Sequence, residues 1–460
     1  MTDRSTAWAL IALGVAARVA AVLALQSHLV PHSTYEHGEI AANMLAGRGF
    51  SVRFLGAEGP TSQQAPAYPC LVAAAYAVGG VGTPRSLLIL ELGQALLGGW
   101  LVAETIRLAR SVAPGRRWAS AAAGGLVAIH PTLVYAATHV QVAPLAAALL
   151  VATLARASEA RTRREGFAVG LWLALLALTD PILALAAPGL ALAMRMATSP
   201  AAARRPVAMM ALAASIGLAP WVARNAVVHG ELVLIKSTFG YAFWQGNCDR
   251  SEGTDKVVRA SVGRALEGDD GGLRGLNERL WAARHEAGYL DDVALTAADY
   301  RVLGATTEPE RSRILFRRAV HELKRRPGRY LGLCLRRLRY FFLFDETNPK
   351  TRNRLYRASH LGLTVLAVLG LLAAPGDVRR RLVPTVLTVG LVAAFHAATI
   401  VSARFHIPIE PLLAVWAGAG LARIAPASAP ARVPAGEVEG LGVGVDRGLA
   451  GARGERLGPA

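Results

Sequence analysis

Two carboxylates three residues apart, Glu36 and Glu39, stand in the run His32-Ser33-Thr34-Tyr35-Glu36-His37-Gly38-Glu39-Ile40. On a helix they share a face, and a carboxylate screened from bulk water can serve as a general base. A plainer role is open as well, because Ser33-x-x-Glu36 has the spacing of a capping box, in which Glu36 only satisfies the helix start. Cationic candidates lie far away in sequence: Arg224 in Pro220-Trp221-Val222-Ala223-Arg224-Asn225, and Arg404 with His406 in Ser402-Ala403-Arg404-Phe405-His406. A guanidinium grips phosphate through a forked pair of hydrogen bonds; the alternative for each is an interfacial anchor. Asp180, just before Pro181, suits either a helix N-cap or a site carboxylate. Trp244 and Asn247 belong to the glycine-flanked aromatic segment 240–247, which suits stacking on a sugar ring or docking onto a neighbouring element. Arg18 interrupts an apolar run, where a cation must face protein or water rather than lipid, or snorkel to an interface.

The elements that must position these residues are membrane spans. The chain has 460 residues, of which 53% are hydrophobic, and a mean hydropathy of +0.35. Apolar runs fall at about 7–25, 67–80, 86–106, 118–136, 140–156, 166–179, 181–195, 207–223, 358–374, 383–401 and 409–424. Arginines cluster at 107–117, 156–164, 195–205 and 379–381, and short arginine-rich loops stay cytoplasmic. All four clusters fall on one side only if 67–80 lies along the surface instead of crossing, which its length and Pro66 and Pro69 also favour. Ten spans remain. Residues 26–85 then form a first external loop, 231–357 a small extracytoplasmic domain, and 358–424 the last spans; 1–230 is the main bundle, and 425–460 reads as a disordered cytoplasmic tail. The first apolar run reads as a retained span rather than a cleaved leader. Parity places Glu36, Asp180, Arg224, Trp244, Arg404 and His406 on one outer face.

A formal charge of +18 would suggest nucleic acid in a soluble protein. Here the arginines flank apolar runs as topology signals, no basic stripe with interleaved aromatics is present, and nucleic acid is excluded as a partner. Cys70, Cys248 and Cys334 are too scattered for a disulfide framework or a metal site.

The pattern Tyr35-Glu36-x-Gly38-x-Ile40-Ala41 with Gly47-x-Gly49-Phe50, then Gly59-Pro60-Thr61, Pro66-x-Tyr68-Pro69, Pro220-Trp221-x-x-Arg224-Asn225 and Phe243-Trp244-x-Gly246-Asn247, resembles the GT-C membrane glycosyltransferases. The bacterial protein O-mannosyltransferase and aminoarabinose-transferase-like (family 39-like) superfamily is the nearest pattern, over residues 7–424. The resemblance implies an all-α polytopic membrane protein of about ten transmembrane helices with interfacial helices in the first external loop. It implies transfer of a hexosyl or pentosyl group from a polyprenyl-phosphate-linked donor to a protein, lipid or glycan acceptor, with inversion, on the outer face of the bacterial inner membrane. A first-loop carboxylate is the base. Many relatives carry an Asp near the start of that loop; Ser33 and Thr34 stand there here, so the role passes to Glu36, with Glu39 second. Arg224, Arg404 and His406 would hold the phosphate, and Asp180, Trp244, Asn247 and Arg18 would complete the substrate site. Where relatives place an acidic residue at a later outer loop this chain has His139-Val140-Gln141, so no metal ligands are named and a divalent cation stays open as a cofactor. The competing expectation is a transporter or flippase of a lipid-linked precursor; no duplicated halves are visible.

Overall fold

The computed structural model describes residues 3–199, 201–257, 261–266 and 271–423. The tail expected to be disordered, 425–460, lies outside the described residues. Among the described residues five helices are long and apolar enough to cross a membrane: Arg4–Leu29, Pro84–Val112, Arg204–His229, Arg354–Ala373 and Gly376–Ala398. The chain is a multi-pass membrane protein. The ten-span expectation is not reached by length: Ala143–Glu159 has 17 residues, Arg163–Ala177 15, Arg117–Ile129 13 and Glu410–Gly420 11. At about 1.5 Å per residue the shortest of these span well under 30 Å of hydrocarbon. Ala67–Gly79, expected to lie along the surface, is likewise 13 residues long.

Local chemistry sets the helix ends. Thr83 caps Pro84–Val112 by accepting the Ser86 N–H, and Asn353 caps Arg354–Ala373 by accepting those of Leu355 and Tyr356. Ala143–Glu159 is buried on all sides, as an evenly apolar helix must be. Small residues bring the helices together, as expected where lipid gives no hydrophobic drive for association. A Cβ on Gly166 would lie 2.3 Å from the Pro206 carbonyl oxygen, and one on Gly170 2.3 Å from that of Met210. Helices Arg163–Ala177 and Arg204–His229 therefore touch backbone to backbone along a Gly-xxx-Gly stripe.

The loops sort to two ends. At one, Arg107 pairs with Glu159 and Arg156 with Glu104, while Arg116 pairs with Asp377, so three of the four arginine clusters meet. At the other, the first loop, the segment 231–357 and the last loop are joined. Thr61 donates to Glu308, Asn277 to Ser27, and Arg404 sits 3.7 Å from Asp255.

The all-α expectation misses one feature, an antiparallel hairpin of Ser51–Phe54 with Ala57–Pro60. Its two-residue turn has Leu55 at φ 48° and Gly56 at φ 86°, and positive φ at both positions is what a tight hairpin demands. Phe54 and Leu55 share a core with Phe243, Trp244, Leu290 and Leu315. The first loop thus packs into the segment 231–357 as well as onto the bundle. Helix Pro327–Phe342 buries Leu333, Tyr340 and Phe341 and leaves Leu331, Leu335 and Leu338 exposed beside arginines, the pattern of a helix lying in a membrane interface.

Candidate functional site

Tyr35 enters the helix Tyr35–Leu45 at φ 52°. Ser33 Oγ accepts the Tyr35 N–H at 3.0 Å, and Thr34, not Ser33, occupies the cap position. Glu36 is thereby released from the capping box, and its carboxylate takes a hydrogen bond from Gln63 Nε2 at 3.4 Å. Its charge reaches Lys236 and Arg404. Glu39 has another fate: it accepts the Arg53 N–H at 2.8 Å in an exposed contact with the hairpin. One carboxylate faces the polar interior and the other braces a strand.

The run 61–64 that faces Glu36 is held by two clamps. Arg224 donates to the Thr61 carbonyl at 2.6 Å and the Phe50 carbonyl at 3.0 Å, with its guanidinium 4.9 Å from the Trp221 ring. Buried Glu308 accepts from Thr61 Oγ1 at 2.6 Å and the Ser62 N–H at 2.8 Å. Asn225 accepts from Ser62 and donates to the Val233 and Ile235 carbonyls, which fixes the strap leading to Lys236. Lys236 donates to Gln64 at 3.0 Å. Burial lowers its pKa although Asp180 and Glu36 oppose that shift. Arg224, expected to hold phosphate, is engaged with loop carbonyls because that loop folds back over it.

A cleft lined by Tyr35, the neighbour of Glu36 in sequence, also has Lys256, Arg284, Lys350 and Arg404 in its wall. Asp255 is the one carboxylate among its described lining residues. Four cations against one anion in a confined space form a strong anion site. Burial brings Lys350 down to about 7 with Arg284 acting in the same direction, and brings Lys256 down to about 8 against the pull of Asp255. Aromatic faces carry part of this charge: Lys256 Nζ lies 3.4 Å from the Tyr289 ring centre, and Arg284 lies 4.2 Å from that of Trp281 and donates to the Tyr35 hydroxyl. His139 also lines the cleft and is held neutral by burial, well below the usual imidazole range.

Of the residues expected from sequence, Glu36, Asp180 and Arg404 come together. Asp180 caps Pro181–Ala186 through the Ile182 N–H and bears electrostatically on Lys236. The others sit elsewhere. Arg18 is buried and donates to the carbonyls of Gly14, Val127 and Ala128, tying the first helix to the end of Arg117–Ile129, whose last carbonyls lack helical partners. Asn247 donates to the Phe243 and Thr399 carbonyls and accepts from Arg337. Trp244 stacks on Tyr241 beside a separate groove that also includes Arg317 and Arg318. His406 is buried against Tyr356 and Glu410. Sequence reasoning missed Lys256, Arg284 and Lys350, which come from the segment 231–357, where it pointed only to Trp244 and Asn247. The available signal was a lysine in each of two otherwise small-polar stretches, Gly253-Thr254-Asp255-Lys256 and Asn348-Pro349-Lys350.

No family model matches the chain, and no curated protein does. Solved structures to which it is similar include ArnT from Cupriavidus metallidurans bound to undecaprenyl phosphate, at 16% identity over 90% of this chain and 77% of that one, with a TM-score of 0.40. The apo form of the same protein matches at 17% identity over 91% and 78%, TM-score 0.39. The Archaeoglobus fulgidus oligosaccharyltransferase in complex with Zn and sulfate matches at 13% identity over 90% of this chain and 49% of that one, TM-score 0.48. These likenesses are partial agreements in chain path, and the function proposed below rests on this chain's own side chains.

Proposed function

We propose that the protein is a membrane glycosyltransferase that moves a hexosyl or pentosyl group from a polyprenyl-phosphate donor to a protein, lipid or glycan acceptor. The end bearing Glu36 faces the extracytoplasmic side of a bacterial inner membrane, since the arginine-rich loops gather at the opposite end and such loops stay cytoplasmic. The observation that carries the reading is the cleft of Lys256, Arg284, Lys350 and Arg404 within electrostatic reach of a carboxylate, Glu36, that caps no helix.

The chemistry follows from that arrangement. An acceptor hydroxyl attacks the anomeric carbon from the face opposite the phosphate, its proton passes to Glu36, and the C–O bond to phosphate breaks with the electron pair leaving on the lipid phosphate. Negative charge grows on that phosphate in the transition state, where the four cations stabilise it more than in the ground state. Configuration inverts because a single displacement occurs. Gln63, held by the Arg224 and Glu308 clamps, orients Glu36. The rival transport reading needs a cation lining a path through the bundle, and Arg18 gives it no support because its guanidinium is bonded to helix carbonyls.

The test is release of polyprenyl phosphate from lipid-linked sugars by purified protein with an acceptor present. Glu36→Gln should lower turnover by roughly 100-fold or more, the usual worth of a general base, while Glu39→Gln stays within about twofold. Equal loss in both variants, or none in Glu36→Gln, would remove Glu36 from the role.

A further inference from the structure

We propose that His360, His406 and Glu410, with His130 beside them, form a binding site for one divalent transition-metal ion of the Zn²⁺ class, one layer behind the cleft wall. The proposal is independent of the transferase reading. The four residues come from three separate parts of the chain. His130 sits at the end of Arg117–Ile129, His360 lies within Arg354–Ala373, and His406 and Glu410 lie at the start of the last helix. All are buried, at 5%, 1%, 1% and 0% exposure.

The ligand atoms of His360, His406 and Glu410 lie within 4.8 Å of one another. Glu410 is the hub: His360 Nδ1 is 3.2 Å and His406 Nδ1 3.0 Å from its Oε1, and His130 Nδ1 is 3.5 Å from its Oε2. Ligands around a tetrahedral Zn²⁺ with N and O donors are separated by about 3.3 Å. The two imidazole nitrogens of His360 and His406 meet Glu410 at close to that spacing, with His130 at 3.5 Å from the other carboxylate oxygen.

The alternative is a plain hydrogen-bonded network; one such bond is present, between His360 Nδ1 and Glu410 Oε1 at 3.2 Å, and the remaining atoms count against it. His406 Nδ1 and Glu410 Oε2 have no hydrogen-bond partner although each lies close to an opposite group, and both ring nitrogens of His130 are likewise unpartnered. Atoms at contact distance whose directions do not line up as donor and acceptor are what results when their lone pairs point at a shared third position. Buried polar atoms left unmatched are otherwise costly. The supporting contact expected of a metal-bound imidazole is present as well, since the other nitrogen of His406 meets the Tyr356 hydroxyl at 2.9 Å. The Tyr356 ring in turn lies 5.4 Å from Lys350 Nζ. The ion would neutralise Glu410, join Arg354–Ala373 to Glu410–Gly420 and fix the ring against which Lys350 of the cleft is set.

The experiment uses full-length, tag-free protein in detergent, stripped with a chelator and titrated with Co²⁺ alone and then with Zn²⁺. The wild type should take up one equivalent of Co²⁺ with the intense visible bands of tetrahedral coordination, lose them to one equivalent of Zn²⁺, and unfold at a higher temperature with Zn²⁺ than without. Glu410→Gln and His360→Ala should weaken the uptake on the order of 100-fold. Weak octahedral bands or no uptake by the wild type would overturn the proposal, and that titration requires no variant to fold. Undiminished tetrahedral bands in both variants would overturn it equally, by placing the ion elsewhere.

Discussion

Glu36 and Glu39 differ by less than one turn of helix and by everything their carboxylates touch. The pair was legible in the sequence because i and i+3 on a helix are neighbours, but which of the two faces the interior depends on where the hairpin docks, and the hairpin pairs Arg53 with Glu39. Legibility was poorer for the cations. Arg404 could be named from its loop, whereas Lys256 and Lys350 reach the cleft only once residues distant in the chain, from Tyr35 to Arg404, are gathered around it. His406 was read as an anion ligand because Glu410, one turn on, was not weighed as its partner; a His-x-x-x-Glu spacing at a helix start was the missed sign. At this scale the lysines give a pH prediction. Their pKa values are lowered in the unliganded site, to about 7 for Lys350 and about 8 for Lys256, and a bound anion must raise them. Binding therefore takes up protons, and affinity for a phosphodiester donor should fall as pH rises through that range and beyond. Equilibrium binding of the diester, whose own charge does not titrate there, checks this; pH-independent affinity would show that the lysines are not in contact with the anion.

Element-scale behaviour turns on close approach of helices. The Gly166-xxx-Gly170 stripe brings Arg163–Ala177 against the carbonyls of Pro206 and Met210, a packing that small residues on one face announce. Gly170→Val should push the helices apart and destabilise the protein by about 2–3 kcal/mol, read as a lower thermal midpoint in detergent. Arg18→Met should also lower the midpoint, since it leaves the Val127 and Ala128 carbonyls unsatisfied, while the KM of the surviving folded protein for its donor stays unchanged. A raised KM with an unchanged midpoint would instead put Arg18 in the substrate path. The helices themselves were well marked by apolar runs, but their number as spans was not. Runs of 11 to 17 residues read alike whether they cross the bilayer or pack inside the bundle, and only the partners of each face decide.

For the whole molecule the distribution of charge separates two ends. The arginine-bearing loops meet at one end through Arg107–Glu159 and Arg116–Asp377, and the candidate site is assembled at the other from the first loop, the segment 231–357 and the last loop. In a background lacking Cys70, Cys248 and Cys334, Arg161→Cys should be modified by an impermeant reagent only from the cytoplasmic side and Glu278→Cys only from outside. Labelling of both from the same side would contradict the two-ended arrangement. Arginine counts sort the loops into two groups in the sequence; that the loops of the other group converge on a single cleft is not legible there, because their side chains meet only after the first loop has folded into the segment 231–357. The central claim, that this cleft holds the lipid phosphate beside Glu36, is tested most directly by measuring polyprenyl-phosphate affinity in wild type, Glu36→Gln and Lys350→Met. The account predicts unchanged binding in Glu36→Gln and a loss of roughly 10- to 100-fold in Lys350→Met, the worth of one charged hydrogen bond. Wild-type affinity in Lys350→Met would contradict it.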